Sequence, residues 1–205
     1  MRLINKKHLA VSKVASRDAT RYVLNGIKIE ETETGVKTIA TDGKSLAIVE
    51  TVGMIDKPED FPAVPGMDTA PNAATAGIIP IDTVEKVIKA IPKKTKLPIL
   101  GSALLKMSAE LATFGTTDLD TAQVIPSRVI VGHYPNYQQV IPEGKPEAVV
   151  SFDPGKMIEM MKIAIEVVGK GNPITMELRG ALNPMKFINK SDTIKFTGAL
   201  MPMKG

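Results

Sequence analysis

The side chains that most often carry chemistry are scarce in this sequence and poorly spaced for it. The only two histidines, His8 and His133, stand in unlike contexts, and neither has a second ligand at metal-binding spacing. Cysteine is absent, which excludes a disulfide framework, a thiolate nucleophile and a cysteine-based zinc site. No Ser–His–Asp set has recognisable local context, and neither GxxxxGK[ST] nor GxGxxG occurs. Gly169-Lys170-Gly171 ends a helical pattern instead of opening one, so it lacks the outward N–H groups that a phosphate needs. Asp118 and Asp120 lie two apart in the polar run Thr116–Thr121, where they could hold a cation or exchange a proton. A Thr- and Asp-rich turn is the commoner meaning of that run. No catalytic group, metal or cofactor is expected.

Binding chemistry is better represented. There are 11 methionines, among them Met157, Met160 and Met161 on one helical pattern and Met201 and Met203 near the end. Helical methionine reads as core filling. The Pro-interrupted stretch Leu200-Met201-Pro202-Met203-Lys204 suits a sheet interior poorly and suits an adaptable apolar surface better. The net charge is +4 with a pI near 9.2, which permits a polyanionic partner without requiring one. Residues 1–30 carry Arg2, Lys6, Lys7, Lys13, Arg17, Arg21 and Lys28 against Asp18 and Glu30. From charge alone this is a solvated face.

The elements that must position these groups follow one rhythm three times: a short strand, a helix, then several short strands. In the first stretch, about residues 1–52, Arg2–Ile4 opens, Asn5 caps a helix over Lys6–Ser16, and strands follow at Arg21–Glu30, Val36–Ala40 and Leu46–Thr51. Asp42-Gly43 supplies a turn. Residues 53–76 hold four prolines and an alanine-rich run and read as a surface linker. In the second stretch, about 77–132, Gly77–Ile81 is a strand, and Asp82 or Thr83 caps a helix through Ile91, in which Val84, Val87, Ile88 and Ile91 recur at helical spacing. Strands follow near Ala103–Met107, Leu111–Phe114 and Ala122–Val131. In the third, about 146–205, Ala148–Phe152 is a strand and Asp153 caps a helix that opens on Pro154. Met157, Met161, Ile165 and Val168 line one of its faces, and Gly169 and Gly171 end it. Strands follow near Ile174–Leu178, Met185–Ile188 and Thr193–Met201. The fold class is α+β, with three βαβββ units divided into a two-unit domain over 1–142 and a half-domain over 143–205. The N-terminus lacks the apolar core of a signal peptide and no run approaches a membrane span, so a soluble, cytoplasmic protein is expected.

Three segments carry a family resemblance. Arg21-Tyr22-Val23-Leu24-Asn25-Gly26 followed by Ala40-Thr41-Asp42-Gly43-Lys44-Ser45-Leu46-Ala47 resembles the RYxLNG…ATDGHRLA pattern of the bacterial sliding clamp, the β subunit of DNA polymerase III. Tyr134-Pro135-Asn136-Tyr137-Gln138-Gln139-Val140-Ile141-Pro142 is similar to that family's FPDYRRVLP, and Leu200–Lys204 to its closing VMPMR. Lys44-Ser45 departs from the usual His-Arg, and Gly205 stands where an apolar residue is usual. Family subunits have six βαβββ units and this chain three, so the resemblance is to a shortened member.

The resemblance implies a DNA-clamp fold and no catalysis. It implies a homo-oligomeric processivity factor that closes around double-stranded DNA without sequence preference and binds short peptides of polymerases and clamp loaders. The implied peptide groove is lined by Leu24, Thr41, Gly43, Leu46, Pro135, Val140, Leu200, Met201, Pro202 and Met203. The implied DNA-facing cations are Lys6, Lys7, Lys13, Arg17, Lys86, Lys89, Lys93, Lys156 and Lys162. Family rings hold twelve units, so three per chain suggests four chains, with the third unit pairing across a subunit boundary. The alternative is an adaptor or decoy that kept the groove and forms no ring.

Overall fold

Two repeats of one element order build the first part of the chain, and each lends its opening strand to the other's sheet. The first repeat runs β1 (Arg2–Asn5), α1 (Lys6–Leu9), β2 (Gly26–Glu31), β3 (Val36–Thr41) and β4 (Leu46–Glu50). The second runs β5 (Ala76–Pro80), α2 (Ile81–Ala90), β6 (Ser102–Met107), β7 (Leu111–Thr117) and β8 (Ala122–Arg128). The sheets are ordered β1-β6-β7-β8 and β4-β3-β2-β5, antiparallel throughout. Leu3 stands opposite Leu104, and Ile78 opposite Lys28. Gly26 sits at the second junction. A Cβ there would come within 2.7 Å of Ile78 Cγ2 and 2.8 Å of the Ile79 carbonyl, so only glycine allows the approach.

This computed structural model describes residues 1–52, 57–67, 70, 72–95 and 97–203. They fall into two compact units, Met1–Ile141 and Pro142–Gly205. The second unit holds one repeat: α3 (Pro154–Val168), β9 (Thr175–Glu177), β10 (Met185–Lys190) and β11 (Lys195–Leu200), in sheet order β11-β10-β9.

The main core of the first unit lies between its helices and sheets. Ile4, Leu9, Ile27, Ile29, Ile79, Val84, Val87, Leu105 and Phe114 are fully enclosed there. Each such side chain contributes on the order of 1.5–3 kcal/mol relative to exposure. Of that helical spacing, Val84 and Val87 join Ile81 on the buried face of α2, Ile88 is partly buried beside them, and Ile91, also buried, is the residue that follows the helix.

Several local expectations are corrected. The helix at Lys6 is one α turn continued by a 3-10 turn, Ala10–Lys13, and does not reach Ser16 as α-helix. Arg21–Asn25 is not strand but 3-10 turn over Ala19–Asn25. There Asp18 accepts hydrogen bonds from Thr20 N at 3.0 Å and Thr20 Oγ1 at 2.7 Å, and so draws the backbone out of extension. Neither Asp82 nor Thr83 caps α2; Pro80 precedes it without a side-chain cap, and Thr83 Oγ1 instead meets Ser127 Oγ at 2.9 Å. Ala148–Phe152 contributes one β-bridge, Ser151 to Met203, and no continuous strand. On α3, Ala164 takes the buried place expected of Ile165, which is 46 % exposed. Within 53–76, residues 53–56, 68, 69 and 71 lie outside the described set, as do Lys204 and Gly205. The rest is not simply a surface linker: Phe61 and Val64 are buried against Leu3 and Leu104.

His8 is a structural histidine. Its Nδ1 accepts the Asn5 N–H at 3.3 Å, closing a capping box, which leaves Nε2 to donate to Thr51 Oγ1 at 3.0 Å. Burial lowers its pKa, because the charged ring is poorly hydrated there. The unfolded chain therefore binds the proton more readily. Stability should be unaffected above the ordinary histidine pKa of about 6.5 and should fall as pH drops from there toward the lowered folded value. Urea titrations at neutral and mildly acidic pH check this: wild type loses stability on acidification, and His8→Gln loses less.

Candidate functional site, an apolar groove on the first unit

Three chain segments converge on the outer face of the β4-β3-β2-β5 sheet. Leu24 comes from the 3-10 turn before β2, Thr41–Leu46 from the β3–β4 hairpin, and Pro135–Val140 from the stretch after β8. They enclose a cavity of about 350 Å³ lined by Leu24, Thr41, Gly43, Lys44, Ser45, Leu46, Pro135, Asn136, Tyr137 and Val140. Its floor is an apolar cluster in which Ile39, Ile78, Tyr134 and Tyr137 are buried and Val23, Leu24, Leu46, Ile48 and Ile130 pack partly covered. Val140 is 67 % exposed and forms part of the rim.

Each wall is fixed by polar contacts behind it. In the hairpin, Asp42 Oδ1 accepts from Lys44 N (2.8 Å), Ser45 N (2.7 Å) and Ser45 Oγ (2.9 Å). Thr41 Oγ1 accepts from Gly43 N at 3.0 Å and donates to the Ser45 carbonyl at 2.7 Å. Gly43 has φ of 86°, a left-handed conformation that glycine adopts without a Cβ clash. Arg21 Nη1 donates to the Asp42 carbonyl at 3.2 Å and ties the Leu24 segment to the hairpin. These amide donors hold the Asp42 carboxyl down at about 2.

The third wall hangs on two tyrosines. Tyr134 donates to the Ile39 carbonyl at 3.4 Å, and burial pushes its phenol up to about 12. Tyr137 donates to Glu30 Oε2 at 3.0 Å, while Lys28 and Lys37 sit 5.7 and 5.6 Å from its ring centre. Burial works to raise the Glu30 pKa, but hydrogen bonds from Lys28 and Tyr137 and the charge of Lys37 outweigh it and leave it lowered. Burial and the Glu30 carboxylate together raise Tyr137. Lys44 alone among the lining residues carries a charge.

The structure thus brings together Leu24, Thr41, Gly43, Leu46, Pro135 and Val140. Sequence reasoning missed Lys44, Ser45, Asn136 and Tyr137 as lining, although all four lie inside the motif segments. Leu200, Met201, Pro202 and Met203 belong to the second unit, where Leu200 ends β11 and Met201 and Met203 are 66 % and 54 % exposed. Of the basic residues, Lys7, Lys13, Lys86, Lys89, Lys93 and Lys162 are exposed. Lys6 is half-buried and donates to the Pro92 carbonyl at 3.3 Å; Arg17 bonds Glu85 at 2.7 Å, and Lys156 bonds Glu159 at 3.0 Å. Asp118 is a turn residue, accepting from Asp120 N, Thr121 N and Thr121 Oγ1. Among the described residues no group of three or more His, Cys, Asp or Glu is placed to hold a metal, and no helix is long and apolar enough to cross a membrane.

No family model matches the chain. It is 26 % identical over 172 residues to the β sliding clamp of Synechocystis sp., covering 84 % of this chain and 41 % of that protein. It is 30 % identical over 146 residues to the β sliding clamp of Caulobacter vibrioides, covering 69 % of this chain and 32 % of that protein. Among solved structures it is similar to the C. crescentus β sliding clamp (TM-score 0.70, 17 % identity) and to the Pseudomonas aeruginosa clamp bound to griselimycin (TM-score 0.69, 16 % identity). Each superposition covers 98 % of this chain and 50 % and 49 % of the other. The chain therefore spans half or less of the length of these relatives, and it shares their fold.

The Asp42 contacts give a direct check on the hairpin. Its contribution to stability is present above the ordinary carboxylate pKa and is lost only as pH falls through the folded value of about 2. A carbon-detected NMR titration of the Asp42 carboxyl should give a midpoint near that value, and Ser45→Ala should raise it by removing one donor.

Proposed function

We propose that this chain, related in sequence and fold to the bacterial β sliding clamps, binds short apolar-anchored peptides of DNA polymerases and clamp loaders in the groove and serves as a processivity factor on double-stranded DNA. One observation carries the reading: Leu24, the Thr41–Leu46 hairpin and Pro135–Val140 line a single apolar cavity with fixed polar walls. Apolar side chains supply the affinity of such a slot, and a few placed polar groups orient the ligand. The role requires binding alone and no catalytic group, and its place is the cytoplasm, where replication proteins of this kind act.

The DNA-facing residues in this proposal are Lys7 and Lys13 at the first helix and Lys86, Lys89 and Lys93 at the second, and, in the second unit taken by itself, Lys156 and Lys162 on the third. Lys6, Arg17 and Lys156 support this role less freely, since each already holds a partner. Contacts of this type neutralise phosphates without reading bases, so affinity falls steeply with salt.

Two measurements test the two halves separately. A fluorescent clamp-binding peptide of a bacterial polymerase should bind wild type, and Val140→Asp, on the exposed rim, should weaken it by at least about tenfold. Unchanged affinity removes the groove from the reading. Replacing Lys7, Lys13, Lys86 and Lys89 by Ala should reduce the slope of log K against log salt for duplex DNA by roughly 0.9 for each phosphate that is no longer neutralised. An unchanged slope together with retained peptide binding would favour an adaptor that uses the groove without encircling DNA.

A further inference from the structure

In the first unit β5 is held at both edges. One edge pairs with β2, where Ile78 stands opposite Lys28. The other receives the tail of its own repeat, the Ile130 N–H donating to the Ile78 carbonyl at 2.8 Å. The second unit reproduces the tail contact: the Met203 N–H donates to the Ser151 carbonyl at 2.8 Å. Ser151 precedes the start of α3 at Pro154 by the same interval that Ile78 precedes the start of α2 at Ile81. Ser151 is therefore the counterpart of Ile78, and β9, the first strand after the helix, is the counterpart of β2 and β6.

In the first unit neither opening strand joins its own repeat's sheet; each joins the other's. The second unit has one repeat among its described residues, and no second one to do this. Among the described residues β9 pairs with β10 alone, and Ser151 forms its one bridge with Met203, so each has a second edge without a strand. Open edges of this kind are templates for pairing with another chain.

The side chains agree. Ile158 is the fifth residue of α3, the place Glu85 holds in α2, and Glu85 reaches across to Arg17 of the other repeat at 2.7 Å. A position that faces the mate repeat in the first unit is thus an isoleucine in the second, 54 % exposed. Met176 and Leu178, beside the open edge of β9, are each 45 % exposed, and Val149, in the segment before α3, is 65 % exposed.

We propose that two copies of this chain pair through their second units, the segment 148–152 of each joining the β9 edge of the other. Two third repeats then close into the module that the first two repeats form within one chain. Ser151 of one copy falls opposite Thr175 of the other: Lys28 pairs with Ile39, two residues before the end of β3 at Thr41, and Thr175 pairs with Ile188, two residues before the end of β10 at Lys190. The contact is isologous, so one geometry satisfies both open edges at once. The proposal stands apart from the peptide and DNA readings and does not depend on either.

The native chain has no cysteine, which makes the register directly testable. Ser151→Cys and Thr175→Cys chains, carrying different tags and co-expressed, should be joined by a short bis-maleimide into a product holding one of each. Either variant alone should give little. In sedimentation velocity the wild type should be a dimer, and Ile158→Arg should raise the dimer dissociation constant at least about tenfold. That side chain is exposed in the single chain, so circular dichroism should show the variant folded. A monomeric wild type, a dimer indifferent to Ile158→Arg, or the absence of the mixed cross-linked product would each overturn the proposal.

Discussion

The pairing of strand edges organises this protein. A strand at a sheet edge leaves N–H and C=O groups with no protein partner, and chains avoid or cover such edges. Here the first two repeats solve the problem for each other. β1 leaves its own helix to close the sheet of the second repeat on Leu104, and β5 returns the exchange on Lys28. The exchange interlocks the repeats, so the core between them, from Ile4 and Leu9 to Leu105 and Phe114, forms only when both are folded. It also forces backbone against side chain at Gly26, where no other residue fits.

Much of this was legible in sequence because the repeating unit has a strong local signature. Helical spacing marked α2, Asp153-Pro154 marked the start of α3, and Asp42-Gly43 marked the groove hairpin. The exchange of opening strands was not legible, since β1 and β5 read as strands whichever sheet they join. Arg21–Asn25 was misread because its apolar residues suit a strand, and the local bonds of Asp18 that turn it into a 3-10 segment leave no periodicity. The groove residues Lys44, Ser45, Asn136 and Tyr137 were missed for another reason. Polar and aromatic residues in turns look like turn chemistry until tertiary packing puts a cavity beside them.

One signal of the repeat was available and is exact in its chemistry. Thr41-Asp42-Gly43-Lys44-Ser45 and Thr117-Asp118-Leu119-Asp120-Thr121 build the same turn. In both, the Asp accepts from two backbone N–H groups and one hydroxyl, and the preceding Thr donates to the carbonyl of the fifth residue, at 2.7 and 2.8 Å. The third residue is left-handed in both, with φ of 86° at Gly43 and 81° at Leu119. Glycine takes that conformation freely and leucine does so at a cost, so the side-chain bonds of the second turn must offset strain that the first never meets.

The two sheets differ most in what covers their outer faces, and that difference argues for where function sits. On β1-β6-β7-β8 the cover is Phe61 and Val64, with Met67 packed beside them. The cavity there is bounded by a single loop, Pro58–Met67, together with Met1 and Leu104. On β4-β3-β2-β5 the cover is Tyr134 and Tyr137, each anchored through its hydroxyl, and the cavity has three walls from segments distant in sequence. Arg21 bonds the first wall to the second, and Glu30 holds the third. A slot whose walls are fixed before a ligand arrives loses less freedom on binding than one bounded by a single loop. The second sheet therefore presents the more preorganised surface, which is why the proposed peptide site is the one on that sheet and not the larger cavity under Phe61.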